Sequence, residues 1–284
     1  MVIWLALGSA ITFGAADFWG GLASRRAPSA GVVAVAQVIS LPVVLLWCLL
    51  STRSAAGSDL AWGAASGAAG AGGVLLLYKG LADGRMSVVA PLTGLVAAGL
   101  PVVVSPLLGE LPSALALVGI AIAMAAIALV SRDGEAHADD QTVATMSRGA
   151  MVAVAVASGV CFGALFLLLD QAREDASMWP LVANKFTGLL VVGAYGLFVA
   201  RTGLRVGRSA LPLVFGCAVG GAAAEVLLLL AMQNGLVAIA AVITSLYPGS
   251  TVLLARFVLH ERLRKDQLAG FALAALAVGL IAAG

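Results

Sequence analysis

Apolar residues run along this chain in long blocks, and polar residues gather at the joints between them. Ten blocks are long enough, or nearly so, to cross a bilayer: 2–23, 31–50, 61–81, 86–107, 113–130, 149–169, 180–200, 211–232, 236–259 and 267–283. A spanning helix needs about 20 mostly apolar residues. Several joints are short, such as Ala82-Asp83-Gly84-Arg85 and Gln233-Asn234-Gly235. They predict tight turns between antiparallel helices, with glycine at the helix stop. The joint at 132–148 differs. It carries Asp133, Glu135, Asp139 and Asp140 and little that is apolar. It reads as a solvated linker with five blocks on either side.

The two sets of blocks are copies. Gly84 to Gly119 can be laid on Gly235 to Gly270 without a gap, at an offset of 151 (235 − 84). Thr93 falls on Thr244, Leu95 on Leu246 and Glu110 on Glu261. Phe13-Gly14-Ala15 falls on Phe162-Gly163-Ala164 at an offset of 149 (162 − 13). An odd number of spans per copy sets the copies in opposite orientations, which makes an inverted-topology repeat. The predicted fold class is therefore an all-α membrane protein of ten transmembrane helices in two inverted five-helix repeats. Residues 1–131 form the first, 132–148 the polar linker and 149–284 the second. Glycines concentrate on the third block (Gly63, Gly67, Gly70, Gly73) and the eighth (Gly216, Gly220, Gly221). Small residues three and four apart let helix backbones approach closely in lipid.

Composition agrees with lipid as the solvent. The 284 residues are 62% hydrophobic and 11% charged, with a mean hydropathy of +1.07. A soluble domain carries about a quarter charged residues. The expected location is the cell membrane, as a multi-pass protein partnered by the lipid bilayer. A net charge of +2 with no basic run argues against nucleic acid as a partner. Cys48, Cys161 and Cys217 are dispersed in apolar blocks and read as packing residues, with no disulfide framework and no metal-ligand spacing. No cofactor and no metal are expected. The first block lacks a basic leader and a cleavage site, so it reads as a retained span. The chain carries no Gly-x-x-x-x-Gly-Lys-Ser/Thr motif for ATP. Transport would then be driven by a gradient or by exchange.

Lys and Arg in the loops bear on orientation. With the N-terminus on side A, the side B joints hold 13 of the 16 cations. Arg53 and Arg173 lie on side A, and Lys185 lies within a block. This imbalance predicts that side B is cytoplasmic and both termini are outside.

Local motifs recur with the repeat. In the first copy they are Tyr78-Lys79-Gly80-Leu81-Ala82-Asp83-Gly84 through Val89-Ala90-Pro91-Leu92, then Gly109-Glu110-Leu111 and Gly119. In the second they are Ser245-Leu246-Tyr247-Pro248, Leu253-Leu254-Ala255, His260-Glu261-Arg262-Leu263 and Gly270. In these the chain resembles the drug/metabolite transporter superfamily, as a protein with two EamA-type domains. The resemblance implies ten helices around a cavity lined by the first, third and fourth helices of each copy. It also implies export or exchange of a small-molecule substrate, from a range of amino acids, sugars, nucleotide-sugars and drugs. It implies cytoplasmic termini, against the charge count.

A charge inside a span is costly and marks function by default. Asp17, Lys185 and Glu225 are the candidates, with Lys79 near a helix end. At about 1.5 Å per residue, Asp17 and Lys79 fall toward side B. Lys185 and Glu225 fall toward side A, each about 7–11 Å from its helix end. One opposite-charge pair near each mouth is the expectation. Bland readings stand beside these: Asp17 facing water at a mouth, and Lys79 or Lys185 snorkelling to an interface. Glu225 has no other charge within its glycine- and alanine-rich helix, and is the choice for proton coupling or cation binding. Protons are the candidate coupling partner. Tyr78, Thr93, Thr244 and Tyr247 complete the substrate and coupling set, with Thr12, Trp19, Asn184, Gln233, Asn234 and Ser245 as further cavity candidates. Pro91 and Pro248 interrupt the fourth and ninth blocks and free carbonyls that can face a cavity. Glu110 and Glu261 precede helices and read as helix-terminus contacts.

The leading function is a secondary active transporter, an exporter or exchanger of a small metabolite or drug, working by alternating access. A channel or a non-transporting membrane interaction protein is the alternative. A membrane enzyme is not expected, because no span carries a histidine and no catalytic constellation can be placed. Few charges in the spans argue against a polyanionic substrate. A compact zwitterion or an apolar cation fits better. The oligomeric state is not written in the sequence.

Overall fold

The computed structural model describes residues 1–24, 26–50, 55–83, 86–109, 111–130, 146–173, 176–199, 204–258 and 265–283. The described residues fold as helices: α1 (Val2–Ser24), α2 (Ser29–Leu50), α3 (Gly57–Asp83), α4 (Met86–Val104), α5 (Ala114–Val130), α6 (Arg148–Asp170), α7 (Trp179–Ala194), α8 (Leu211–Met232), α9 (Val237–Thr244), α10 (Tyr247–Val258) and α11 (Lys265–Ala283). In lipid a helix is the one open-ended structure that satisfies its own backbone groups, so long apolar blocks become helices. Among the described residues, five are long and apolar enough to cross a membrane: Val2–Ser24, Gly57–Leu77, Gly149–Asp170, Trp179–Phe198 and Leu211–Met232. Shorter apolar helices cover Ala30–Leu46, Leu92–Leu107, Ala114–Leu129 and Leu268–Ile281. The linker at 132–145, together with Glu110 and Glu261, lies outside the described residues.

Local chemistry explains several ends. The Ser147 hydroxyl accepts from the Ala150 N–H at 3.3 Å and caps α6. Pro180 and Pro212 sit in the first turns of α7 and α8, where a missing N–H costs nothing. After α4 the chain tightens into a 3-10 turn (Ser105–Leu108) that stops at Gly109, with φ +90°. α7 runs on into a π-helical segment (Tyr195–Val199).

The ninth block differs from the single helix expected over 236–259. It is broken at Ser245 and Leu246 into α9 and α10. Pro248 follows the break, and proline has no N–H to carry a helix across it. Pro91, its near-counterpart, lies in α4 without breaking it.

The most extensive helix contacts are α1 with α8, α5 with α11, α3 with α7, and α6 with both α3 and α4. Every one joins a helix of 1–130 to a helix of 148–283. The copies are thus interleaved, and the largest buried cluster includes Ala6, Ile127, Leu181, Leu228, Leu229 and Ile243. The α3–α7 contact is close because glycine makes it so. A Cβ at Gly67 would land on the Asn184 carbonyl oxygen, 2.7 Å from its Cα and 2.8 Å from its carbonyl carbon. Beside it the Asn184 amide donates to Ser66 Oγ at 2.8 Å, and Ser66 donates to the Gly63 carbonyl at 2.7 Å.

One clamp was not foreseen. Asp59, in the first turn of α3, accepts from Arg173 beyond the end of α6. Nη2 is 2.9 Å from Oδ2, Nε 3.1 Å from the same oxygen, and the Arg173 backbone N–H 3.1 Å from Oδ1. The Ala56 N–H also donates to Oδ2 at 2.7 Å. This carboxylate ties the start of one helix to the end of another from the opposite copy.

Candidate functional site

Helical spacing sets one stripe of α1 inward: Ala6, Ala10, Phe13, Asp17 and Gly20. Ala6, Ala10 and Gly20 are buried. Asp17 shares their face, and protein surrounds it, yet its side chain is exposed. An inward residue that is still exposed faces open space between helices rather than packed side chains. On α8 a matching stripe runs Val214, Cys217, Gly221, Glu225 and Leu228. Val214 and Leu228 are fully buried, while Cys217, Gly221 and Glu225 are partly open. A Cβ at Gly221 would meet nothing within 4 Å, so the stripe has a hollow between the thiol and the carboxylate. α1 packs on both α8 and α10. Tyr247 opens α10 and is within electrostatic reach of Asp17. Cys217 is within reach of both Asp17 and Lys185. These groups therefore face one interior region among α1, α7, α8 and α10.

The expected pair near side A is present. Lys185 Nζ donates to Glu225 Oε1 at 2.6 Å, with the lysine side chain 5% and the glutamate 23% exposed. Glu225 Oε2 is buried and accepts no hydrogen bond among the described residues. Lys185 does not snorkel: burial on α7 holds its ammonium against the carboxylate. The second expected pair, Asp17 with Lys79, cannot be placed. Tyr78 and Lys79 lie on α3 with side chains outside the described residues. No described residue hydrogen-bonds or ion-pairs with Asp17.

The threonines stand apart from the open region. Thr93 is fully buried, and its hydroxyl donates to the Ala155 carbonyl of α6 at 3.2 Å. It bonds helix to helix rather than lining open space. Thr244 is 1% exposed at the end of α9, and its hydroxyl has no partner among the described residues. Thr12 bonds back to its own helix at the Gly8 carbonyl, 2.8 Å away. Trp19 packs against Gly216 of α8 and so is a helix-contact residue. Cys217, read from sequence as packing, belongs to the open stripe; its spacing of four and eight from Gly221 and Glu225 was the available signal.

Two hollows are lined by other residues, the second reaching Ala10 of the α1 stripe. One, of about 570 Å³, is lined by Asp170, Gln233, Asn234 and Gly235 at the side A ends of α6 and α8. The other, about 410 Å³ and almost wholly apolar, lies among α1, α5, α10 and α11. Neither contains Asp17 or Glu225. The charged groups, rather than hollow size, mark the site.

A family model described as "EamA-like transporter family" matches residues 1–132 and 149–283. A solved structure titled "Crystal structure of protein" superposes with a TM-score of 0.72 at 16% identity, covering 96% of this chain and 95% of that one. That likeness speaks for the fold. No curated protein matches the chain.

Proposed function

This chain belongs to the EamA-like transporter family, and from that premise we propose that it is a secondary active transporter of the cell membrane. It exports or exchanges a small metabolite or drug by alternating access between two inverted five-helix repeats.

A hydrogen bond made twice carries this reading. Ser9 of α1 donates to the Ala224 carbonyl of α8 at 2.8 Å, and Ser158 of α6 donates to the Gly73 carbonyl of α3 at 2.8 Å. Ser158 is 149 residues after Ser9 (158 − 9), and Ala224 is 151 after Gly73 (224 − 73). These are the two offsets of the sequence repeat. Exchanging the copies thus maps one bond onto the other. Gly14 and Gly163, again 149 apart (163 − 14), pack on corresponding helices: Gly14 against Tyr247 and Ser250 of α10, Gly163 against Ala97 and Leu100 of α4, each one residue past the counterpart by the 151 offset. Repeats interleaved in this way are the frame on which transporters rock.

The copies also differ. Thr93 bonds to Ala155, but Thr244, its counterpart, is unpartnered among the described residues. The counterpart acceptor would be the carbonyl of Ala6 (155 − 149). In an alternating carrier the repeats hold unlike conformations and trade them when the cavity changes sides. The charges have no counterparts either: Asp17 falls on Phe166 (17 + 149), Glu225 on Val74 (225 − 151) and Lys185 on Ala36 or Ala34 by the two offsets. Shared residues build the scaffold, and unshared charges give it a task. Lys185–Glu225 serves as the coupling element: a proton on Glu225 frees the lysine and loosens α7 from α8.

Reconstitution tests the reading. Solute loaded inside proteoliposomes is expected to accelerate uptake of the labelled solute, and the rate is expected to saturate. Flux that rises linearly with concentration and ignores the internal solute would identify a channel.

A further inference from the structure

We propose that the cavity takes an organic cation, an ammonium group on an apolar body, with Asp17 as its counter-charge. The inference rests on the transporter reading and adds the substrate class. Among the described interior groups the charges are unevenly committed. Lys185 is held by Glu225 at 2.6 Å and is nearly buried, so it offers no free positive charge to a carboxylate or phosphate. Asp17 lies on the inward stripe and reaches open space, and its carboxylate has no hydrogen-bond or ion-pair partner among the described residues. An interior carboxylate that no described residue pairs is costly, and an arriving ammonium offsets part of that cost with a charge-assisted hydrogen bond.

The surroundings suit the same ligand. Phe13 lies one helical turn from Asp17 on the same face, and Tyr247 stands within electrostatic reach. Aromatic faces beside a carboxylate favour cations over neutral or anionic groups. The scaffold does not need this charge, since the matching position of the second copy is Phe166, which is buried. Between a zwitterion and a cation, the site favours the cation: a zwitterion's carboxylate finds no open positive partner among the described interior groups, where Lys185 is held by Glu225.

Three compounds with one indole body separate the charge types: tryptamine, a cation at neutral pH because aliphatic amines titrate near 10; tryptophan, a zwitterion; and indole-3-propionate, an anion. Binding of tritiated tryptamine to the purified full chain in lipid nanodiscs is expected to saturate. Tryptophan and indole-3-propionate are expected to compete about tenfold or more less well, and Asp17→Asn to weaken tryptamine binding by about tenfold or more. Asp17→Glu, which keeps the charge, is expected to retain binding and serves as the folding control. Absence of saturable tryptamine binding, equal competition by the anion or zwitterion, or unchanged binding in Asp17→Asn would overturn the proposal. Saturable exchange of a neutral or anionic solute, with amines failing to compete, would refute the cation site and leave the carrier reading standing. Amine binding that depends on Asp17, without exchange of that amine in proteoliposomes, would keep the site and refute the carrier.

Discussion

Glu225→Gln is expected to abolish gradient-driven accumulation while the protein still inserts and folds. The change keeps the shape of the side chain and removes its charge. Lys185 is then left buried without its partner at 2.6 Å. Removing one member of a buried ion pair costs about 3–5 kcal/mol, so the folded fraction is followed by size-exclusion profile and thermal unfolding. Lys185→Gln added to Glu225→Gln removes the stranded charge and is expected to restore stability. It is not expected to restore accumulation, because the proton acceptor is still missing. Wild-type accumulation in the double variant would reduce the pair to a structural contact.

Gly67→Val is expected to lower the unfolding temperature by about 5 °C or more. The new Cβ would meet Asn184 backbone atoms at 2.7 and 2.8 Å. Backbone cannot step aside as the end of a side chain can. Overpacking of this kind costs about 1–3 kcal/mol, and each kcal/mol is worth about 2–4 °C in a chain somewhat smaller than this one. The neighbouring Asn184–Ser66 bond at 2.8 Å is expected to be lost with it. Gly279→Val is the control, since a Cβ there meets nothing within 4 Å. Equal unfolding temperatures in the two variants would contradict the close α3–α7 packing.

The helices were legible because block length encodes a span directly: 211–232 read from apolarity is α8 to the residue. Lys185 and Glu225 could be brought together from depth alone, since both fall about the same number of turns from their helix ends. Depth carries no rotation, however, and a threonine facing a cavity looks the same in sequence as one facing a carbonyl; Thr93 proved to be the second kind. Asp59 and Arg173 are 114 residues apart in opposite copies. Nothing local marks them, because their pairing depends on how the copies interleave. The Ser9 and Ser158 bonds were within reach, since the 149 offset seen at Phe13 and Phe162 extends to them. Their acceptors are backbone carbonyls of Ala224 and Gly73, which no residue type advertises. Proline position was a partial guide, marking the break before Pro248 but leaving α4 whole at Pro91.

The proposed exchange of conformations between the repeats can be tested at Cys217, which lies on the open stripe of α8. In a background lacking Cys48 and Cys161, a membrane-impermeant maleimide is added from one side of sealed vesicles. Thr93→Val deletes a bond present in the conformation described here, and Thr244→Val would delete the counterpart bond proposed for the opposite one. An interhelical hydrogen bond in a membrane protein is worth about 0.6 kcal/mol, or about threefold in population. One substitution is expected to speed labelling of Cys217 by about that factor and the other to slow it. Labelling that shifts in the same direction in both variants, or in neither, would contradict alternation between inverted repeats.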